Sequence, residues 1–277
     1  MRKLLSANFA RLWKSKTFWF LLTSLFALCL ALSLDKIWQV RSLLAAGYAR
    51  AIDKSLFSEA PYIGAFQAVF ISFFLGTEYS DGTIRNKLVV GHQRGHIFLS
   101  NFVVCLAASY VFLAACWVSM IPYVTALGMP EMGAGGMALY ALAAVGFTAV
   151  FAALYTAMAG SCSNKALTVI LTLVVWLGLV IAGSGLVDRL NEPEMRGGMA
   201  YIDGAFVEME PTPNPLYLTG TVRTVCEFLR DLMPTGQVIL MNDADLTHPL
   251  PCTALSVVLC VCVTAAGAAA FRRKDIK

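Results

Sequence analysis

The residues in this 277-residue sequence that could do chemistry are two histidines four positions apart, eight cysteines and one acidic residue at the edge of a long apolar run. His92 and His96 would set two imidazoles on one helical face, which is half of a zinc site. Arg94 and Gly95 stand between them and no carboxylate ligand is near, so they read as surface histidines at a bend. No H-E-x-x-H string supplies a metal with its general base. No G-x-S-x-G turn supplies an acyl-transfer nucleophile, and Gly183-Ser184-Gly185 reads as a flexible or close-packed helix end. No G-x-x-x-x-G-K-[ST] loop exists to cradle ATP, so P-loop hydrolysis needs another polypeptide. Cys29, Cys105, Cys116, Cys260 and Cys262 fall inside apolar runs, where a thiol packs as a small hydrophobe. Cys226 and Cys252 would lie on the outer side of the membrane and could pair in an oxidising compartment.

The elements that must carry these residues are read from hydropathy. The chain is 58% hydrophobic and 14% charged, against about 25% charged for a soluble domain. Thr17–Leu34 is free of charge and long enough to span the ~30 Å hydrocarbon core as a helix. Further spans are expected from Pro61 to about Thr77, Ile97 to Leu127, Gly136 to Gly160, Ala166 to Val187 and Pro251 to Phe271. Residues 1–16 place Leu4, Leu5, Ala7 or Asn8, Leu12 and Trp13 near one face and five basic residues around the other, an interfacial helix that turns into the first span. Ala31-Leu32-Ser33 mimics a signal-peptide cleavage site, but the apolar run is longer than a signal core and follows a whole amphipathic helix.

The chain is therefore expected to be an all-α membrane protein with six transmembrane helices, a single domain over 1–277. It would comprise an interfacial elbow (1–16), a short cytoplasmic segment between helices 2 and 3 (78–95) and an extracytoplasmic loop between helices 5 and 6 (188–250). Asp35 to Ala60 reads as a helical extension beyond the membrane, and Gly128 to Gly133 as a tight turn. In the 188–250 loop, Pro211-Thr212-Pro213-Asn214-Pro215 must be extended. Val222, Val225, Cys226, Leu229, Leu232 and Met233 recur at helical spacing until Pro234, a helix lying on the interface, capping the bundle or packing on its own loop. Thirteen of the 21 basic residues fall on the side of the termini, while fourteen of the 17 acidic residues fall on the other. That bias places both termini in the cytoplasm.

The spans contain no ionisable residue except Glu78 at a cytoplasmic edge, which disfavours ion-coupled transport and voltage gating. Polar atoms inside them are confined mainly to Ser109, Ser119, Thr148, Thr156, Thr168 and Thr172. Ala149, Ala153 and Ala157 suit close helix packing, within one bundle or at a dimer seam. The informative stretch is Gly76–Arg94. Asp81 or Thr83 can cap a short helix there, Ile84, Leu88 and Val89 give it an apolar face, and Gly91 can end it. A knob of this kind, held between two membrane helices, is something a cytoplasmic motor could push.

Glu78-Tyr79, Gly82-Thr83, Arg85, Lys87-Leu88, Gly91 and Arg94 resemble the E-Y-x-x-G-T-x-R-x-K-L pattern, with its following Gly and Arg, of the ABC-2 type permease family. The amphipathic elbow, Asn214-Pro215, Leu232-Met233-Pro234-Thr235-Gly236-Gln237 and the Phe271-Arg272-Arg273-Lys274-Asp275 ending are similar to that family as well, so the likeness frames the whole chain. Gln93 stands where the family has a small hydroxyl residue. The resemblance implies a permease subunit of an ATP-binding cassette exporter in a bacterial cytoplasmic membrane. It would form a homodimer or a heterodimer with a related permease and bind a separate ATPase subunit, which would hold ATP and magnesium; the permease itself needs no cofactor. Glu78, Asp81, Thr83, Arg85 and Arg94 would make the coupling contacts. The apolar spans and outer interfacial helix suit an amphipathic or lipid-like cargo such as an antimicrobial peptide. The alternative is a non-transporting membrane scaffold or assembly factor actuated by an ATPase, and an intramembrane enzyme lacks a nucleophile and base set.

Overall fold

The computed structural model describes residues 1–46, 57, 59–128, 132–202, 205–242 and 246–274, with the backbone alone at 198–202 and 205–209. Helix α1 (Arg2–Lys14) precedes six spans: α2 (Lys16–Ala45), α3 (Ala60–Ser80), α5 (Arg94–Ser119) continued by α6 (Ile121–Leu127), α7 (Gly133–Ser161), α8 (Lys165–Leu190) and α11 (Pro249–Arg273). All six are long and apolar enough to cross a bilayer, so the chain is a multi-pass membrane protein. The short α4 (Thr83–Val89) joins α3 to α5. The face of the bundle carrying α1 and α4 is called the knob face below, and the opposite face the hairpin face.

Ser15 makes the corner between α1 and α2. Its backbone is extended (φ −74°, ψ 113°) and its Oγ accepts from Phe18 N at 3.2 Å, which caps α2 and stops α1 from running into it. The buried face of α1 is Leu4, Asn8 and Leu12, one residue every four. Helix α2 is longer than expected: its 30 residues make about 45 Å of helix, more than the hydrocarbon core needs. Beyond Leu34 it packs Ile37 and Val40 against the buried Tyr123 and Leu127 of α6, and Lys36 pairs with Glu59. The expected extension over Asp35–Ala60 is thus helical as far as Ala45; residues 47–56 and 58 lie outside the described residues. Residues 129–131 of the expected turn lie outside them too, as does Asp275.

Helix α7 is the hub, packed on α11, α3 and α5. Its contact with α11 is close because both sides are small: a Cβ at Gly267 would come within 2.7 Å of both Ala157 Cβ and Phe98 Cζ. Cys260 meets the Ala149 carbonyl at 3.6 Å. The row of small residues on α7 therefore seats a helix of the same chain.

The 188–250 segment departs from the all-helical expectation. β1 (Met195–Ile202) and β2 (Ala205–Pro213) form an antiparallel hairpin pairing Met195 with Pro213 and Ile202 with Ala205, irregular between Arg196 and Gly198. The paired glycines Gly197-Gly198 hid the strand periodicity from sequence. Of the stretch expected to be extended, 211–215, the first three residues are the end of β2, where an edge strand tolerates proline. Asn214 closes the hairpin base, donating from Nδ2 to Glu192 Oε2 and to Pro193 O, both at 2.8 Å.

Helix α9 (Gly220–Leu232) matches the expected amphipathic run and leaves Val222, Val225 and Phe228 exposed. Helix α10 (Pro234–Asn242) was not anticipated as a buried element. It re-enters the bundle against α8, α7 and α3, with seven of its nine residues buried. Gln237 anchors it by donating to Asp231 O (2.7 Å) and Cys252 O (3.1 Å) and accepting from Ser256 Oγ (3.0 Å). Thr235 donates to Leu179 O at 2.7 Å, beside Gly183, where a Cβ would approach its Oγ1 to 2.9 Å. Gly183 is therefore a close-packing position.

Candidate functional site: the knob face

Gly82 (φ 65°) lets the chain reverse from α3 into α4; neither Asp81 nor Thr83 makes the expected capping bond. At the other end Gly91 (φ 89°) closes a Schellman motif, with His92 N bonded to Lys87 O (3.1 Å) and Gly91 N to Leu88 O (2.9 Å). Ile84 fastens α4 to the bundle. It is buried in a cluster with Leu4 of α1, Ile97 and Phe98 of α5 and Phe271 of α11, separate from the main core. Four elements distant in sequence thus share one apolar contact beneath the knob.

Beside that cluster lies a polar one centred on Glu78, in the last turn of α3. The carboxylate is buried (1% exposed) and its Oε1 accepts from both Arg11 Nη1 and Lys87 Nζ. Oε2 accepts from Asn101 Nδ2 at 2.8 Å. Asn8 completes the ring: its Nδ2 donates to Asn101 Oδ1 (2.7 Å) and Ser100 Oγ (3.0 Å), and its Oδ1 accepts from Lys87 Nζ (3.0 Å). The Arg11 guanidinium also lies 3.9 Å from the centroid of the Phe74 ring. Burial holds the Lys87 amine below its ordinary pKa, an effect that outweighs the upward pull of Glu78. Two cations and an amide meet one carboxylate, which ties α1, α3, α4 and α5 at a single point.

A second polar contact closes the other flank. Arg94 Nη1 donates to the carbonyls of Arg272 (3.1 Å) and Lys274, at the C-terminal end of α11, where a cation meets the negative end of the helix dipole. Gly160 O, at the end of α7, accepts from Tyr79 Oη (2.6 Å) and Lys274 Nζ (3.1 Å). Burial lowers the Lys274 pKa, and its ammonium lies 4.2 Å from the Tyr79 ring centroid.

The five residues singled out from sequence therefore divide. Glu78 and Arg94 are turned inward and hold the knob in place. Asp81 and Arg85 face outward, with Thr83 half-buried between them. The tip of the knob is apolar and exposed, Val89 and Val90 keeping 80% and 76% of their surface. Sequence reasoning missed Asn8, Arg11, Lys87 and Asn101 as site residues. The available signal was Asn8, an amide among leucines on the apolar face of α1.

Among the described residues no group of three histidines, cysteines or carboxylates stands close enough to hold a metal, and His96 is exposed. Cys226 and Cys252 are free thiols. Compared with known proteins, the chain matches no protein-family model and no curated protein.

Proposed function

We propose that this chain is the permease subunit of an ATP-binding cassette exporter of the ABC-2 type, with both termini and the knob in the bacterial cytoplasm. A separate ATPase would bind ATP and magnesium, and the permease would work as a dimer with itself or a related chain. The observation that carries this reading is the mounting of α4. It is a short helix with an exposed apolar tip, fastened through Ile84 and Glu78 to the elbow and to two spans. A push on Val89, Val90 or Arg85 is delivered to α1, α3 and α5 together, which is what coupling ATP-driven closure to span movement requires. The cargo in this reading is amphipathic or lipid-like, in keeping with spans that carry few polar atoms.

The test is ATP turnover by the reconstituted permease and ATPase in vesicles. An exporter shows ATP hydrolysis stimulated by amphipathic peptide or lipid cargo, and Arg85→Glu removes both the stimulation and ATPase association. ATPase binding with no stimulation by any such cargo would favour the scaffold, and no ATPase binding would sink both.

A further inference from the structure

On the hairpin face, α6 leans on α2. Met120 interrupts the helix at the α5–α6 junction, Pro122 sits in the first turn of α6, and Tyr123 and Leu127 are buried against Ile37 and Val40. Between the junction and α7 this leaves a cavity of about 470 Å³. Trp117, Met120, Ile121 and Val124 form one wall, recurring at i, i+3, i+4 and i+7. Met137, Ala138 and Ala141 form the facing wall on α7. Among the described residues of the lining the one hydroxyl belongs to Thr125, and its Oγ1 already lies 3.0 Å from the carbonyls of both Ile121 and Pro122.

We propose that this cavity binds one acyl chain of a membrane phospholipid. Its walls are aliphatic and aromatic, so an inserted non-helical polypeptide would bring amide groups with no partners, at a cost of several kcal/mol each in an apolar setting. A hydrocarbon chain brings none. The rim is continuous with exposed apolar surface on the spans: Ile121 is 55% exposed, and Val118 and Leu142 are exposed as well. Phe57, Trp117 and Met120 also line a cleft of about 20 Å³ together with Glu59, the partner of Lys36. The site is independent of what α4 engages.

Native mass spectrometry of the full chain, purified in mild detergent, tests this. One phospholipid is expected to stay bound per chain, and to be lost in Ala138→Phe and Ala141→Leu, which fill the cavity from α7 without lowering the Tm. In nanodiscs, a phospholipid with a photoreactive acyl chain is expected to label Met120 and Met137 of the unaltered protein several-fold above the lipid-facing Val174 and Val258, a readout that needs no variant to fold. Equal retention by the filled variants would overturn the site, as would labelling no higher than at Val174. So would a second copy of the chain, rather than lipid, that dissociates when the cavity is filled.

Discussion

Asn101 donates through Nδ2 to Glu78 Oε2 at 2.8 Å, joining the first turns of α5 to the last turn of α3 across the base of the α4 knob. The bond matters for what surrounds it. With Arg11 and Lys87 on the other oxygen, the buried carboxylate offers the half-buried cations of two further elements their shared counter-charge. A buried charge is tolerable when it is paired and hydrogen-bonded, and costly when one partner is taken away.

Glu78→Ala should therefore destabilise the protein by about 3 kcal/mol, the lower end for breaking a buried pair because Arg11 keeps 30% of its side-chain surface. Trp13, one turn past Asn8 on the elbow, should change its fluorescence as α1 loosens. Thermal unfolding in detergent reads the first effect; an unchanged Tm would mean the three-way pairing does not hold the elbow.

Arg85→Glu and Val89→Asp should behave in the opposite way. Both side chains face outward from α4, so their replacement should leave stability within about 0.5 kcal/mol. Association with the ATPase should fall tenfold or more if the knob is the docking element. Copurification measured beside the Tm separates the two kinds of residue, and a variant that lowers the Tm but not association would reverse their roles.

The hydropathy pattern made the spans legible because each apolar run is long enough to cross a bilayer, and helix α1 was legible from the apolar and basic faces of its sequence. The inward turn of Glu78 was not legible. Its partners Arg11 and Asn101 are 67 and 23 residues away in sequence, and nothing in local spacing says that they meet. Helix α10 was hidden for a related reason: Pro234 was read as the end of α9, although proline in a first turn also begins a helix. The hairpin failed on periodicity, since two adjacent glycines interrupt the alternation that marks a strand.

Sidedness can be checked directly. Arg85→Cys should react with a membrane-impermeant maleimide only after the cell is opened, and Glu210→Cys should react in intact cells. Both positions are exposed, and they lie on the knob and hairpin faces respectively. Reaction of Arg85→Cys in intact cells would reverse the proposed topology.

Lys87 predicts a pH effect of known sign. Its pKa in the folded protein lies below the ordinary 10.5, so between the lowered value and 10.5 the unfolded chain holds a proton that the folded one has released. Stability carried by this group therefore rises with pH through that window. The Tm difference between the wild type and Lys87→Met should grow in favour of the wild type as pH approaches 10.5. Glu78→Gln removes the upward pull on Lys87 and should move the onset of that rise to lower pH; an unmoved onset would show that Glu78 does not act on the amine.

The seat of α10 yields the most severe prediction. A Cβ at Gly236 would overlap the Arg230 carbonyl oxygen, and no side-chain rotation can relieve a clash with backbone. The Gly236→Ala variant must either lift α10 out of the bundle or unwind the end of α9, at a cost of about 3 kcal/mol or more, the upper end for overpacking. Lifting α10 would strip Gln237 of three hydrogen bonds and expose Val238, Leu240 and Met241, all buried against the spans. Proteolysis from the hairpin face distinguishes the outcomes. Cleavage near Asn242 in Gly236→Ala but not in wild type would mean that α10 has left its seat. Cleavage near Arg230 with Asn242 still protected would mean that α9 gave way and the seat held. A variant as stable and as resistant as wild type would show that α10 does not pack where the Gly236 and Gly183 contacts place it.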